Sequence, residues 1–250
     1  MKRAGDFWVP DGDMRWGRVR QQTLRSFGEG RRGSQIHHLE GALAHLRNRW
    51  SDAEAIDAGA NVGAFTRVLA ERFARVHAFE LAPETTACLT RNVADWGLGD
   101  RVAVYPCAVS DRHERVGIAH DPRKRRSISL QAVEVPEGMR GAAAMPLDAI
   151  GLRGPLAFLK IDVEGYELKA LGGAVKLVER HRPLVMMEVK PDADGGTDWR
   201  AHDWLVERGY RVIDKLGKAH IDWVYGHETP YADMDDLGRE RLPEARKPGP

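Results

Sequence analysis

A glycine-rich turn between a short apolar strand and a helical pattern constrains this chain more than any other feature. Ala55-Ile56-Asp57 reads as the strand, and Asp57-Ala58-Gly59-Ala60-Asn61-Val62-Gly63 as the turn that closes it. Phe65, Val68, Leu69 and Phe73 then recur on one helical face. A strand, a tight turn and a helix in that order open an α/β sheet rather than a bundle or a sandwich. The alternation continues downstream. Val76-His77-Ala78-Phe79-Glu80 is a second strand, and Pro83 can begin a helix without losing a hydrogen bond. Cys88, Leu89, Val93 and Trp96 carry that helix to Gly97, which is placed to stop it. Val102 to Tyr105, Leu156 to Asp162, and Leu184 to Val189 after Pro183 supply three more strands. Leu168, Leu171, Val175 and Val178 mark a helix, and another is expected from about Asp198 to Arg208, ending at Gly209. Tyr210–Ile213 and His220–Tyr225 lie close enough to pair as a hairpin. The expected fold is α/β and Rossmann-like. It has a seven-stranded, mostly parallel sheet, a terminal antiparallel hairpin and helices on both faces.

Three stretches follow from this reading. Residues 1–51 hold an irregular lead-in, rich in Gly and Arg as far as Gly33, and then a helix from Ser34. Ile36, Leu39, Leu43, Leu46 and Trp50 line one face of that helix. Residues 52–228 form the main domain, with 110–147 read as short strands and loop. Residues 229–250 read as a loose tail. Hydrophobic residues make up 42% of the chain, too many for disorder throughout. No apolar run has the length of a membrane helix, and no apolar stretch follows Lys2 and Arg3 as a signal peptide requires. Cys88 and Cys107 cannot build a disulfide framework or a Cys-rich zinc site, so a reduced, cytoplasmic setting is expected.

In sheets of this kind ligands bind at the carboxyl ends of the strands. The first strand ends at Asp57, and its turn brings backbone close to a ligand at a helix start. The turn is not the dinucleotide fingerprint, because Asn61 stands inside it and no third glycine follows. An acid there suits an ammonium group better than a pyrophosphate. The second strand ends at Glu80, 17 residues after Gly63, where a carboxylate can accept both hydroxyls of a ribose. Together the two signals describe a nucleoside that carries a cationic amino acid, and S-adenosylmethionine meets that description.

At this point the chain resembles the FkbM-type methyltransferases, within the class I S-adenosylmethionine-dependent fold. The likeness rests on Ile56 to Gly63, Phe79-Glu80-Leu81-Ala82-Pro83, Ala108-Val109-Ser110-Asp111 and Leu147-Asp148-Ala149-Ile150. It continues through Leu159-Lys160-Ile161-Asp162-Val163-Glu164-Gly165-Tyr166-Glu167 and ends with Pro183 to Glu188. It covers about residues 52–190. The resemblance implies that Asp57, Gly59, Ala60, Asn61 and Gly63 hold the methionine part of the cofactor. It implies that Glu80 and Leu81 flank the ribose, that Ala108, Val109, Ser110 and Asp111 line the adenine, and that Asp162 sits under the reactive methyl. Leu81 departs from the family, which more often has Pro after the Glu.

The sulfonium carries its own activation, so the protein positions and desolvates, and a base receives the acceptor's proton. Lys160, Asp162 and Glu164 alternate and should share one face. Asp162 and Glu164 are candidates for acceptor contact and base, though Glu164 could equally cap the next helix or pair with Lys160. Glu188 closes the fifth strand on the same crevice. His37 and His38 stand in a helix that can cover the cofactor, and either is a natural base near neutral pH, although paired histidines are more often surface residues. No metal is expected, since the spacing matches no compact metal motif.

Net charge is +1 and says nothing about a partner, but its distribution is uneven. Residues 1–50 carry ten Lys or Arg against five Asp or Glu, and Arg123-Lys124-Arg125-Arg126 is a second basic focus. If that run lies at the crevice mouth, Arg123, Arg125 and Arg126 would meet an anionic acceptor beside Lys160. The expected function is O-methylation of a hydroxyl on a small molecule, sugar or glycan, with no membrane partner. A competing reading is a nucleic-acid methyltransferase acting on a ribose 2′-hydroxyl. Such enzymes often use a Lys-Asp-Lys-Glu tetrad, and here Glu188 stands where a Lys would be, with Lys190 displaced. A second is a binding module that keeps the fold without the chemistry. A third, an NAD-dependent oxidoreductase, is disfavoured by Asn61.

Overall fold

The computed structural model describes residues 1–11, 34–46, 51–120, 130–135, 141–189, 198–217 and 221–228. The basic run at 123–126, Lys190, most of the lead-in and the tail at 229–250 lie outside them.

The main sheet is built from β3 (Glu54–Ala58), β4 (Arg75–Phe79), β5 (Val102–Tyr105), β10 (Leu156–Ile161), β11 (Leu184–Glu188), β12 (Tyr210–Leu216) and β13 (Asp222–His227). Their spatial order is β12-β13-β11-β10-β3-β4-β5. The strands from β11 through β5 pair in parallel, and β13 runs antiparallel to both β11 and β12. This is the expected seven-stranded sheet with its terminal hairpin. All six residues of β10 are buried, as a strand covered on both faces requires. From β3 the chain steps outward through β4 and β5, then returns to β10 on the other side. The switch point therefore lies between β3 and β10, and there an open α/β sheet offers its crevice.

The helices cover both faces. On one lie α1 (Ser34–Leu43), α2 (Ala64–Ala70) and α3 (Pro83–Asp95), which bury Ile36, Leu39, Val68, Leu69 and Leu89 against Ala55, Val76, Phe158 and Met186. On the other lie α4 (Glu167–Gly172), α5 (Val175–His181) and α6 (Arg200–Val206), packed with Leu171, Val178 and Leu205 on Ile56, Leu159, Val185 and Tyr225. The apolar pattern at 168–178 reads as one helix, but the structure divides it into α4 and α5. A Cβ on Gly173, where the two join, would stand 2.0 Å from the Ser110 carbonyl oxygen, so only glycine fits there.

Residues 108–145, between β5 and β10, hold β6 (Ala108–Val109), β7 (Glu114–His120), β8 (Leu130–Glu134) and β9 (Ala142–Met145), a second sheet in the order β6-β9-β7-β8. The start of the lead-in also differs from expectation. Lys2–Ala4 and Phe7–Val9 form a hairpin of two strands, β1 and β2, turned at Gly5 (φ 62). Its apolar residues give it a face to bury. Phe7 and Val9 have no exposed surface, and Phe7 meets Trp96 edge to face at 4.9 Å. Asn92 on α3, itself fully buried, donates to the Trp8 carbonyl (3.0 Å) and the Val62 carbonyl (2.8 Å). The hairpin, α3 and the glycine turn are thereby tied through one side chain.

Candidate functional site

The turn after β3 takes its shape from three left-handed residues. Gly59 has φ 79 and Gly63 φ 95, while Asn61 has φ 53, a conformation that Asn accepts better than most side chains. Asn61 Oδ1 receives the Val62 N–H at 2.9 Å, a local bond that steadies the bend. A Cβ on Gly59 would stand 1.9 Å from the Asp162 carbonyl oxygen. The Asp162 N–H in turn donates to the Ala58 carbonyl (3.1 Å). The turn therefore lies directly on the end of β10, and only glycine fits at the contact.

Glu80 follows β4 and faces this turn. Its Oε2 accepts the Asn61 N–H (2.9 Å) and its Oε1 the Ala82 N–H (2.8 Å). Each carboxylate oxygen can accept twice, so each keeps one acceptor direction for a hydroxyl donor. Burial pushes the Glu80 carboxyl above its ordinary range, and the two N–H donors oppose that shift without cancelling it. A carboxylate with two acceptor directions left, set against a glycine cradle that a Cβ would fill, fits the ribose and methionine portions of S-adenosylmethionine.

Beneath the turn lies a buried charge pair. Lys160 Nζ stands 3.2 Å from Asp57 Oδ1, 3.7 Å from Asp162 Oδ2 and 2.9 Å from the Gly59 carbonyl it donates to. The Thr66 hydroxyl donates to Asp57 Oδ2 at 2.6 Å. Burial acts to lower the Lys160 pKa, but Asp57, Asp162 and Glu188 outweigh it, so the ammonium is held above its ordinary value. The Asp57 carboxylate has no exposed surface, and the Lys160 side chain is 7% exposed. The ammonium next to Asp57 is thus the protein's own. Both residues, expected to touch methionine and acceptor, face each other under the cradle.

Asp162 sits at the rim with its side chain 40% exposed. Glu188, at the end of β11, lies close enough to raise Lys160. Glu164 departs from the expected alternation: β10 ends at Ile161, and Glu164 is left-handed (φ 55) in the turn that follows. The Gly165 N–H that Glu164 could have capped is bonded instead by Glu167 Oε1 (3.1 Å). The two histidines also separate. His37 is 63% exposed and points toward Glu40 (3.5 Å). His38 turns inward, and its Nδ1 lies 2.5 Å from Asp222 Oδ2.

The segment expected at the adenine starts beside Glu80, because the Tyr105 carbonyl accepts both the Glu80 N–H (3.1 Å) and the Cys107 N–H (2.9 Å). Leu81 packs with Ala108, Val116, Ala144 and Tyr166. Val109 is buried in the apolar core of the opposite sheet face. The Ser110 hydroxyl is buried and donates to Glu114 (2.5 Å), while Asp111 is exposed.

Asp222 is the residue that sequence reasoning missed. A strand's first residue draws no attention when parallel strands present their last ones. In an antiparallel strand the first residue reaches the same rim, and the expected hairpin carried that signal.

The methyltransferase FkbM domain matches residues 57–212 of the chain. A crystal structure of methyltransferase FkbM from Methylobacillus flagellatus KT is similar, with 22% identity over 73% of this chain and a TM-score of 0.51. The chain spans 45% of the length of that protein. A ribosomal protein L11 methylase of Lactobacillus delbrueckii subsp. bulgaricus is 12% identical, over 78% of each chain, with a TM-score of 0.45. Precorrin-6y C5,15-methyltransferase of Geobacter metallireducens GS-15 is 14% identical over 74% of this chain and 84% of its own, with a TM-score of 0.42. No curated protein matches the sequence.

Proposed function

The chain belongs to the methyltransferase FkbM domain family, a family of S-adenosylmethionine-dependent methyltransferases, and from that premise we propose that it methylates a hydroxyl oxygen of a small molecule, sugar or glycan. The observation that carries the reading is the pairing of a cofactor cradle with an acidic rim. Glu80 and the Gly59–Gly63 turn form the cradle. Asp162 stands over it with Glu188 and His38 nearby on the same end of the sheet. S-adenosylmethionine, when bound, supplies an electrophilic methyl group on a sulfonium.

The rest falls to this chain's residues. Glu80 accepts the ribose hydroxyls with its two remaining acceptor directions. The turn offers backbone in place of side chains at its closest approach. Lys160 and Thr66 hold the Asp57 carboxylate and so keep the turn on the end of β10. Carboxylates at the rim suit a neutral or cationic hydroxyl acceptor, whose O–H they can orient by accepting it. An anionic acceptor would call on Arg123, Arg125 and Arg126, which lie outside the described residues.

The test uses the whole chain and methyl-labelled S-adenosylmethionine. The acceptors are a panel of free sugars, phosphorylated sugars, nucleotide-linked sugars and RNA. Label is expected on a sugar, at an O-methyl carbon identified by its carbon NMR shift. Label on RNA alone, label on nitrogen, or none on any member overturns the reading. Calorimetry beside a Glu80→Ala variant separates a missing acceptor from a missing cofactor site.

A further inference from the structure

Two His–Asp pairs, one from α1 and one from the turn that follows it, dock onto the β12–β13 hairpin, and they differ in where they stand. His45 Nε2 meets Asp214 Oδ2 at 2.9 Å, and His38 Nδ1 meets Asp222 Oδ2 at 2.5 Å. β12 runs toward the rim, with Leu216 opposite Asp222 and Asp214 opposite Val224. Asp214 is thus two residues short of the rim, about 7 Å back along the strand. Asp222 is at the rim itself, directly across the ladder from Glu188.

The rim pair is also the more enclosed. Side-chain exposure is 21% for His38 and 20% for Asp222, against 34% and 37% for His45 and Asp214. The Cε1 edge of the His38 ring rests on Gly217 (φ 87), where a Cβ would stand 2.7 Å from Cε1, 3.2 Å from Nε2 and 3.3 Å from Nδ1. The ring is therefore fixed twice, by a carboxylate on Nδ1 and by a glycine against its Cε1 edge. A neutral imidazole that donates Nδ1–H to a carboxylate has its acceptor lone pair on Nε2. Among the described residues, charged groups near the pair are Lys160 from β10, Asp162 after it, and Glu188 from β11.

We infer that His38 is the proton acceptor of the methyl transfer and that Asp222 is its positioning residue. The inference rests on the reading of the chain as an O-methyltransferase. In the step, the acceptor oxygen forms a bond to the methyl carbon while the carbon–sulfur bond breaks and its electron pair stays on sulfur. The acceptor's proton passes to His38 Nε2, and Asp222 stabilises the imidazolium that results. His37, exposed and turned toward Glu40, has no such seat.

The test compares full-length wild type with Asp222→Asn, Asp222→Glu, Gly217→Ala and His38→Gln. His45→Ala serves as the control that removes the sister pair. Nitrogen NMR of histidine-labelled protein needs no acceptor. It is expected to report an Nδ1-protonated His38, disturbed in Asp222→Asn, whose signal moves when S-adenosylhomocysteine is added. With the sugar panel as acceptor, Asp222→Asn is expected to lower kcat 10- to 100-fold with KM and cofactor Kd unchanged. Asp222→Glu should recover part of the rate, Gly217→Ala should lose rate, and His45→Ala should lose stability only. A His38 signal indifferent to S-adenosylhomocysteine that does bind, or an Asp222→Asn enzyme with wild-type kcat, overturns the inference. Failure of the wild-type chain to bind the cofactor at all overturns the reading beneath it.

Discussion

Lys160 Nζ sits 3.2 Å from Asp57 Oδ1, both side chains nearly or wholly out of solvent, directly below the turn that forms the cofactor cradle. Removing one member of such a pair strands the other. Lys160→Met is expected to cost about 3 kcal/mol, read as a lower urea midpoint. Asp57→Asn combined with Lys160→Met should recover much of that loss, because no uncompensated charge remains. If the double variant is no more stable than the single one, the pair is not the unit that holds the turn.

On the proposed function Glu80 accepts the ribose hydroxyls through its ionised form, and burial raises its pKa. Lowering the pH therefore removes the acceptor earlier than it would for an ordinary glutamate. Calorimetric affinity for S-adenosylhomocysteine is expected to weaken from above the usual carboxylate range, approaching about tenfold per pH unit below the raised pKa. In Glu80→Gln this slope should disappear, with affinity low throughout. An equal slope in the variant would assign the titration to another group.

Glu54 behaves in the opposite sense, at the start of the neighbouring strand β3. Burial acts to raise it, but His77 Nε2 at 2.5 Å and the Gly154 and Arg153 N–H groups together hold its carboxyl below the ordinary 4.5. A depressed carboxyl stabilises the fold fully above its unfolded-state value, and that stability is lost as pH falls through the folded value. Glu54→Gln should lower stability by about 2 kcal/mol at neutral pH. The gap to wild type should narrow through the region below 4.5, measured as thermal midpoints from pH 7 to pH 3.

The β1–β2 hairpin covers Cys88, which has no exposed surface. Phe7→Ala would open a cavity above it at a cost of about 3 kcal/mol. Labelling of Cys88 by a disulfide reagent should quicken, while Cys107, in a different apolar cluster, keeps its wild-type rate. Unchanged labelling of Cys88 would mean that the hairpin does not seal that side of α3.

What could be read in the sequence was what is local. The turn at 57–63, the acid ending the second strand and the antiparallel hairpin each announce themselves within sixteen residues or fewer, and the sheet followed from them. Partners chosen by the fold could not be read in that way. Asp57 looked available for a ligand's ammonium because nothing nearby in the chain shows that Lys160, a hundred residues on, will occupy it. The β1–β2 hairpin was hidden for a similar reason, since Phe7 and Val9 bury themselves only against α3 and Val62. The left-handed turn at Glu164 broke an alternation that the residue types alone supported.

The antiparallel run of β13 sets an order on synthesis. The cradle is complete once residue 162 has been made, since Gly59, Glu80 and Asp162 all precede it. His38 precedes all three, yet its seat comes 184 positions after it. A nascent or truncated chain can thus assemble the place for the cofactor while α1 still lacks its anchor. The β12–β13 hairpin would then close the seat of His38 from the far side of the sheet order.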